Sequence, residues 1–302
     1  MPPADHQDTR AGFLLALAAY TIWGFLPFYM KAVAHIPVAE IIAHRVVWSV
    51  PIAGAVLVAL GRTADLAAAL RSPRMIAMAA ATAFFITINW GVYIWAIIAD
   101  RTLETALGYY INPLFSVFMA AVVLRESLNR AQIAAIGLAI VGVAIITWDA
   151  GGLPWPSLVL ACSWGMYALL RRALPIGPNQ GFLLEVLILS IPSIGVIVWS
   201  FVSGTSHFGP TGAGDMVLLF SAGIVTAIPL ILYANGAKRL KLSTIGLMQY
   251  IAPTIIFLIA VFAFGEPFPP ARLVAFCFIW AALAVYSWGM LRSMRALPQA
   301  AE

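Results

Sequence analysis

Charge is scarce in this sequence: of 302 residues, 10% are Asp, Glu, Lys or Arg and 63% are hydrophobic. A soluble domain carries about 25% charged residues, and a chain this poor in them cannot cover a globule of its size with polar surface. The shortage excludes a water-soluble enzyme, and a mean hydropathy of +0.96 excludes a disordered chain. Cysteine is nearly absent. Cys162 and Cys277 both fall inside apolar runs, where they are expected as small core residues without a disulfide. No His, Cys or carboxylate cluster stands at metal-ligand spacing, so neither a metal nor a cofactor is expected. Phosphate-loop and selectivity-filter patterns are missing too. All six aspartates lie in tails or near the ends of apolar runs, Asp5 and Asp8 forming the one close pair, in the polar N-terminal tail. No Cys–His or Ser–His arrangement has an orienting group, which argues against a membrane-embedded enzyme such as a lipid-modifying transferase. The tail has no cleavage signature, so the first apolar run is expected to be retained.

Long apolar stretches are abundant. A helix needs about 20 apolar residues to cross a hydrocarbon layer of about 30 Å. Ten runs of that size occur, at 12–33, 38–60, 74–98, 103–124, 130–148, 154–172, 179–203, 214–237, 243–264 and 270–291. The alternating strands of about 10 residues that a membrane barrel requires are absent, so an all-α bundle of ten transmembrane helices is expected. The net charge of +5 is strung between these runs, which points to lipid topology and not to nucleic acid. With the N-terminus in the cytoplasm, that side holds Arg10, Arg62, Arg71, Arg74, Arg125, Arg130, Arg171, Arg172, Lys238, Arg239, Lys241, Arg292 and Arg295. The other side holds Lys31, Arg101 and Arg272. The positive-inside rule therefore predicts both termini in the cytoplasm.

The two halves of the chain repeat. An offset of 140 residues aligns Tyr93 with Tyr233, Tyr110 with Tyr250, Pro113 with Pro253, Glu126 with Glu266 and Trp148 with Trp288. An offset of 141 places Trp23-Gly24 on Trp164-Gly165. Two five-span repeats are expected, 12–148 and 149–291, with cytoplasmic tails at 1–11 and 292–302. An odd span number inverts the second copy, the plan of many secondary transporters with a midplane site.

Polar and aromatic residues deep in the spans are the functional candidates. Trp23 and Trp164 sit near mid-span instead of at an interface, and Tyr167 accompanies the second. Glu40, His44 and Arg45 open span 2. Arg45 is about 10 Å inside the span at 1.5 Å per residue. It is expected either in a structural network with Glu40 and Glu104 or, with His44, against a substrate carboxylate. Asn89 and Tyr93 are one turn apart; Tyr110 with Asn112 and Gln249 with Tyr250 occupy matching places in spans 4 and 9, and Tyr233 lies in span 8. These residues without Glu40 and Glu104, twelve in all, are the predicted cavity. Gly24, Pro27, Pro113, Pro229 and Pro253 are the expected bending points, because proline frees a carbonyl of the preceding turn. The lining is aromatic, amide-bearing and little charged, which suits a modest organic solute. Glu104 and Glu185 lie near span ends, and Glu126 and Glu266 read as loop or helix-terminus residues. No carboxylate is expected in the cavity, which weakens proton antiport and leaves facilitated diffusion or coupling through His44. Spans 5 and 10 read as packing helices.

The Trp23-Gly24 pair, the segment EIIAHRVVWS at 40–49, Asn112-Pro113 followed by Glu126, and the five-plus-five repeat resemble the EamA family of the drug/metabolite transporter superfamily, most closely its RarD-type branch. That resemblance implies a central cavity formed by spans 1–4 and 6–9, with spans 5 and 10 outside. It also implies an inner-membrane exporter of small metabolites working by alternating access. Amino acids, aromatic ones included, are the expected substrates, as for YddG-type exporters; drugs are the alternative class. The expected partners are a small-molecule substrate and the bilayer, and a single chain suffices as the working unit.

Overall fold

A computed structural model describes residues 9–123, 128–209 and 212–296. Asp5, Asp8, Arg125 and Glu126 lie outside the described residues. The described chain is helical, in the order α1 (Arg10–Ala32), α2 (Val38–Ala59), α3 (Thr63–Leu70), α4 (Pro73–Ile98), α5 (Thr102–Val123), α6 (Arg130–Asp149), α7 (Trp155–Ala173), α8 (Pro178–Val202), α9 (Ala213–Ala237), α10 (Leu242–Met248), α11 (Ile251–Leu258) and, after a π-turn at Ile259–Ala263, α12 (Pro270–Ala296). A helix lies over each of the ten apolar runs. Eight segments are long and apolar enough to cross a membrane: α1, α2, α4, α6, α8, α9, Thr244–Ala263 and Pro270–Arg292. The helices over the other two runs, α5 and α7, carry several of the polar side chains described below.

Local chemistry sets the ends of these helices. Thr9 accepts from the Gly12 amide at 3.1 Å to start α1, and Asn129 and Gln132 form a reciprocal capping box on α6. Proline opens α4 and α8, where its missing N–H has no helical partner to lose. The start of α5 is capped from the far half: Glu266 accepts from the amides of Thr102 at 2.6 Å and Leu103 at 2.8 Å. Glu266 is thus a helix-terminus residue, as expected. Pro27, Pro113 and Pro229 sit within unbroken helices. Span 9 does break, between α10 and α11 at Gln249 and Tyr250. Gln249 is four residues before Pro253, where the proline removes a hydrogen bond and crowds the carbonyl.

The most extensive packing joins elements from opposite halves of the chain. α1 packs on α9 and α11, α2 on α8 and α9, α4 on α7 and α8, α5 on α7 and α11, and α6 on α12. Exchanging the halves maps these contacts onto one another: α1–α9 becomes α7–α4, α2–α9 becomes α8–α4, and α1–α11 becomes α7–α5. The crossings are close. A Cβ on Gly24 would lie 2.7 Å from Ile255, and one on Gly165 would lie 2.6 Å from Phe115. Both glycines therefore mark equivalent crossings, α1–α11 and α7–α5. Apolar side chains cover the outside, among them Phe84, Ile191, Trp199 and Phe262, and the matched Trp148 and Trp288 are both exposed. Cys162 and Cys277 are free thiols exposed on this outer surface and not core residues.

Candidate substrate cavity

A cavity of about 160 Å³ lies between the helices. Its walls are Tyr20, Trp23 and Leu26 of α1; Arg45 of α2; Ile86, Asn89, Trp90 and Tyr93 of α4; Tyr109 and Asn112 of α5; Trp164 and Tyr167 of α7; Phe182 and Glu185 of α8; Thr226, Leu230 and Tyr233 of α9; and Gln249, Ala252, Pro253 and Ile256 around the α10–α11 break. Neither α6 nor α12 contributes a lining residue. Nine predicted residues meet here: Trp23, Arg45, Asn89, Tyr93, Asn112, Trp164, Tyr167, Tyr233 and Gln249.

Three predicted residues do not line the cavity. His44 turns toward the 203–209 loop, its Nδ1 accepting from Trp48 Nε1 at 3.1 Å and its ring stacked on Phe208 at 4.8 Å. Tyr110 shares a 2.8 Å hydrogen bond with Thr254 and packs edge-on against Phe276. Tyr250 is placed toward Tyr286 and Ser287 of α12. One residue of helix is about 100° of rotation, so Tyr109 and Tyr110 cannot share a wall; Tyr109 takes the cavity and Tyr110 the α5–α11 crossing. The three-residue spacing of Tyr109 and Asn112, which puts them on one face, was the signal for choosing Tyr109.

Two aromatic groups face the space. Tyr20, Trp23 and Tyr233 form a triangle with ring centroids 5.6 to 5.8 Å apart. Trp164 lies 5.7 Å from Tyr167 and 6.5 Å from Tyr109, and Tyr109 lies 5.8 Å from Tyr93. Asn89 ties the second group to the bundle. Its Nδ2 donates to the Leu160 carbonyl at 3.1 Å and to Ser163 Oγ at 3.0 Å, while its Oδ1 accepts from Tyr109 at 3.2 Å.

Arg45 is 4% exposed and is not joined to Glu40 or Glu104. Glu40 accepts from the His207 amide at 2.9 Å and faces His207 Nδ1 at 2.8 Å, and Glu104 accepts from Arg101 at 2.6 Å. Arg45 Nε donates to Thr226 Oγ1 at 2.9 Å, and its guanidinium lies 4.8 Å from the Trp90 ring centre, a cation–π contact. Its Nη1 is buried with no hydrogen-bond partner among the described residues, as are Tyr93 Oη, Asn112 Oδ1 and Glu185 Oε1. Buried polar groups are normally satisfied, and one left unmade costs roughly 1–3 kcal/mol. All four belong to residues that line the cavity.

Glu185 was expected near a span end and is in the wall. It is the eighth residue of α8, as Arg45 is the eighth of α2, so the two lie equally deep and are 140 residues apart. That offset, which relates the other repeat pairs, was the signal for Glu185. The cavity thus has one buried cation and one buried carboxylate at equivalent places in the two halves. Tyr20, Trp90, Tyr109, Phe182 and Thr226 are the other principal lining residues, outside the twelve predicted.

Comparison with known proteins agrees with this architecture. The EamA-like transporter family matches residues 10–148. Protein RarD of Streptomyces exfoliatus is 40% identical over 96% of this chain and 92% of its own length. An uncharacterized transporter of Pseudomonas aeruginosa is 41% identical over 97% and 98%. Protein RarD of Escherichia coli is 39% identical over 96% and 98%. A solved crystal structure superposes with a TM-score of 0.58 at 22% identity, covering 93% of this chain and 98% of its own, a likeness of fold.

Proposed function

The chain belongs to the EamA-like transporter family, with RarD proteins as full-length relatives, and from that premise we propose that this multi-pass bacterial membrane transporter exports small carboxylate-bearing metabolites, amino acids and aromatic ones among them. The observation that carries the substrate class is Arg45, whose buried guanidinium has an unpartnered Nη1 and stands in a cavity wall made largely of rings and amides, with Glu185 as the carboxylate among the described lining residues. A charge-assisted bond from a guanidinium to a carboxylate is the strong form of hydrogen bond, and the aromatic groups offer faces for an apolar side chain. A cavity of about 160 Å³ is close to the roughly 150 Å³ that admits one benzene ring. A small neutral amino acid fits that space, and an aromatic one requires the cavity to widen during the cycle.

The protein works in the inner membrane, with ten spans in two inverted repeats of five and both termini in the cytoplasm. The repeat in sequence and the exchange symmetry of the packing support that plan. Alternating access follows from it, with Gly24, Pro27, Pro113, Pro229 and Pro253 as points of bending and the α10–α11 break as the place where the wall is least bound by its own helix. Because the extensive packing crosses between halves, the bodies that move are groups of helices drawn from both.

The test is counterflow of labelled amino acids into vesicles containing the purified full-length protein. Protein-dependent exchange of phenylalanine, tryptophan or other neutral amino acids is expected. Arg45→Gln, which removes a charged bond worth about 1.5–3 kcal/mol, is expected to lower exchange about 10- to 100-fold. Trp23→Ala and Trp164→Ala are expected to reduce exchange of the aromatic substrates most. Exchange confined to drugs or to cationic solutes, unaffected by Arg45→Gln, would reject the substrate class.

A further inference from the structure

We propose that Glu185 is the proton-binding site of this transporter, through which proton entry is coupled to export; the coupling rests on the transporter reading above. Glu185 is 2% exposed and lines the cavity. Its Oε2 accepts from Tyr167 at 3.3 Å, and Arg171 Nε stands 3.6 Å from Oε1, well beyond the roughly 2.7–2.9 Å of a charge-assisted hydrogen bond. Arg171 is held short of closing that gap. Its guanidinium occupies the place of a side chain at Gly181, where a Cβ would fall 1.8 Å from Nη1, and its Nη2 donates to the Pro178 carbonyl at 2.8 Å. The guanidinium is therefore held against Gly181, one turn before Glu185, and pairs with the carboxylate at 3.6 Å without a close hydrogen bond to its Oε1. Both Glu185 Oε1 and Arg171 Nη1 remain buried without a hydrogen-bond partner among the described residues.

The other carboxylates show what a structural role looks like. Glu266 spends both oxygens on α5 amides at 2.6 and 2.8 Å, and Glu40 both on His207, at 2.9 and 2.8 Å. Glu104, with one unpartnered oxygen, binds Arg101 and lies outside the cavity. Among the described residues Glu185 is the carboxylate that is buried, incompletely paired and in contact with the solute space. The groups facing it are Tyr167 and Arg171 from α7 and Thr82 from α4. Arg45 of α2 and Tyr233 of α9 share its cavity, and Asp65 of α3 is engaged by Gln180 one turn away. Asp65 is the other acid among these groups, and it lies outside the cavity lining, on α3.

The cycle balances simply. A proton from water on the outer side adds to Oε1, and the attraction to Arg171 is lost. After the cavity reopens inward, the proton leaves to the cytoplasm and Arg171 again stabilises the carboxylate. Protonated and ionised Glu185 hold the α7 and α8 ends differently, which is the differential interaction a coupled carrier needs. Proton inward and solute outward is antiport.

The experiment uses the full-length protein in vesicles and two readings. Infrared difference spectra between acidic and alkaline buffer, without substrate, are expected to show a carboxyl band that is absent in Glu185→Gln and shifted in frequency in Tyr167→Phe, which keeps the acid and removes its hydrogen-bond donor. With labelled L-phenylalanine, a gradient of one pH unit is expected to drive up to about tenfold accumulation on the acidic side per coupled proton, since one unit is about 1.4 kcal/mol. Glu185→Gln is expected to lose gradient-driven accumulation, and whatever counterflow it retains is expected not to respond to the pH gradient. An unchanged band or unchanged accumulation in Glu185→Gln would overturn the proposal, as would wild-type protein that exchanges solute but ignores the gradient. If no amino acid is moved, the substrate reading fails, and the infrared comparison still decides whether Glu185 binds the proton.

Discussion

Asn89 holds together more of the polar wall than any charged residue does. It gives two hydrogen bonds to α7 and takes one from Tyr109 of α5, so three helices meet at one amide. Leucine has a similar volume and none of these bonds. Asn89→Leu is expected to lower stability by about 2–4 kcal/mol, as several buried groups lose partners at about 1 kcal/mol or more each; a thermal unfolding series in detergent measures this. The adjacent tyrosines give a finer contrast. Tyr110→Phe removes the bond to Thr254 and is expected to cost about 1 kcal/mol with solute exchange intact. Tyr109→Phe costs a similar amount but frees Asn89 Oδ1 into the cavity, and exchange is expected to fall. Equal exchange in the two variants would show that Tyr109 has no part in the site.

At the scale of elements, the WG pairs acquire a physical role. Gly24 and Gly165 are where α1 and α7 cross α11 and α5, with no room for a Cβ at either place. Gly165→Ala is expected to destabilise by about 1–3 kcal/mol, the usual effect of overpacking. Phe115→Leu in the same chain is expected to restore most of it, because the atoms in the way are those of the Phe115 ring. A double-mutant thermal series reads this directly; strict additivity would place the strain elsewhere. Proline acts unevenly among the helices. Pro253 coincides with a break, while Pro27, Pro113 and Pro229 are absorbed within continuous helices. The residue type was legible as a bending point, but whether the helix parts depends on neighbours able to satisfy the freed carbonyl.

For the molecule as a whole, the main packing lies between the halves, and neither half buries its helix faces alone. Cleavage of the turn at Gly151 and Gly152, both exposed and without close neighbours at the Cα, should therefore leave a working complex. Residues 1–151 and 152–302 expressed together are expected to co-purify and exchange solute, and either expressed alone is expected to be degraded. A stable isolated half would contradict the interleaved packing. The same interleaving explains why the ends of the cavity lie in different halves, with Arg45 answered by Glu185.

Much of this was legible from residues alone. Apolar runs of membrane length, the sorting of charge to their ends and the 140-residue repeat are local or periodic properties of the chain, and lipid admits few structures other than helices for such runs. Trp23, Asn89, Trp164 and Tyr167 could be named as lining because deep polar and ring-bearing side chains have few other uses there. What only the tertiary structure decided is direction and partner. Tyr109 and not Tyr110 faces inward, Arg45 meets Thr226 instead of Glu40, and Glu185 stands in the wall with Arg171 3.6 Å away. Each depends on a helix's rotation and on which helix it meets, whether the partner is 181 positions away, as for Arg45 and Thr226, or 20, as for Tyr109 and Asn89, and these are set by the packing of the whole bundle.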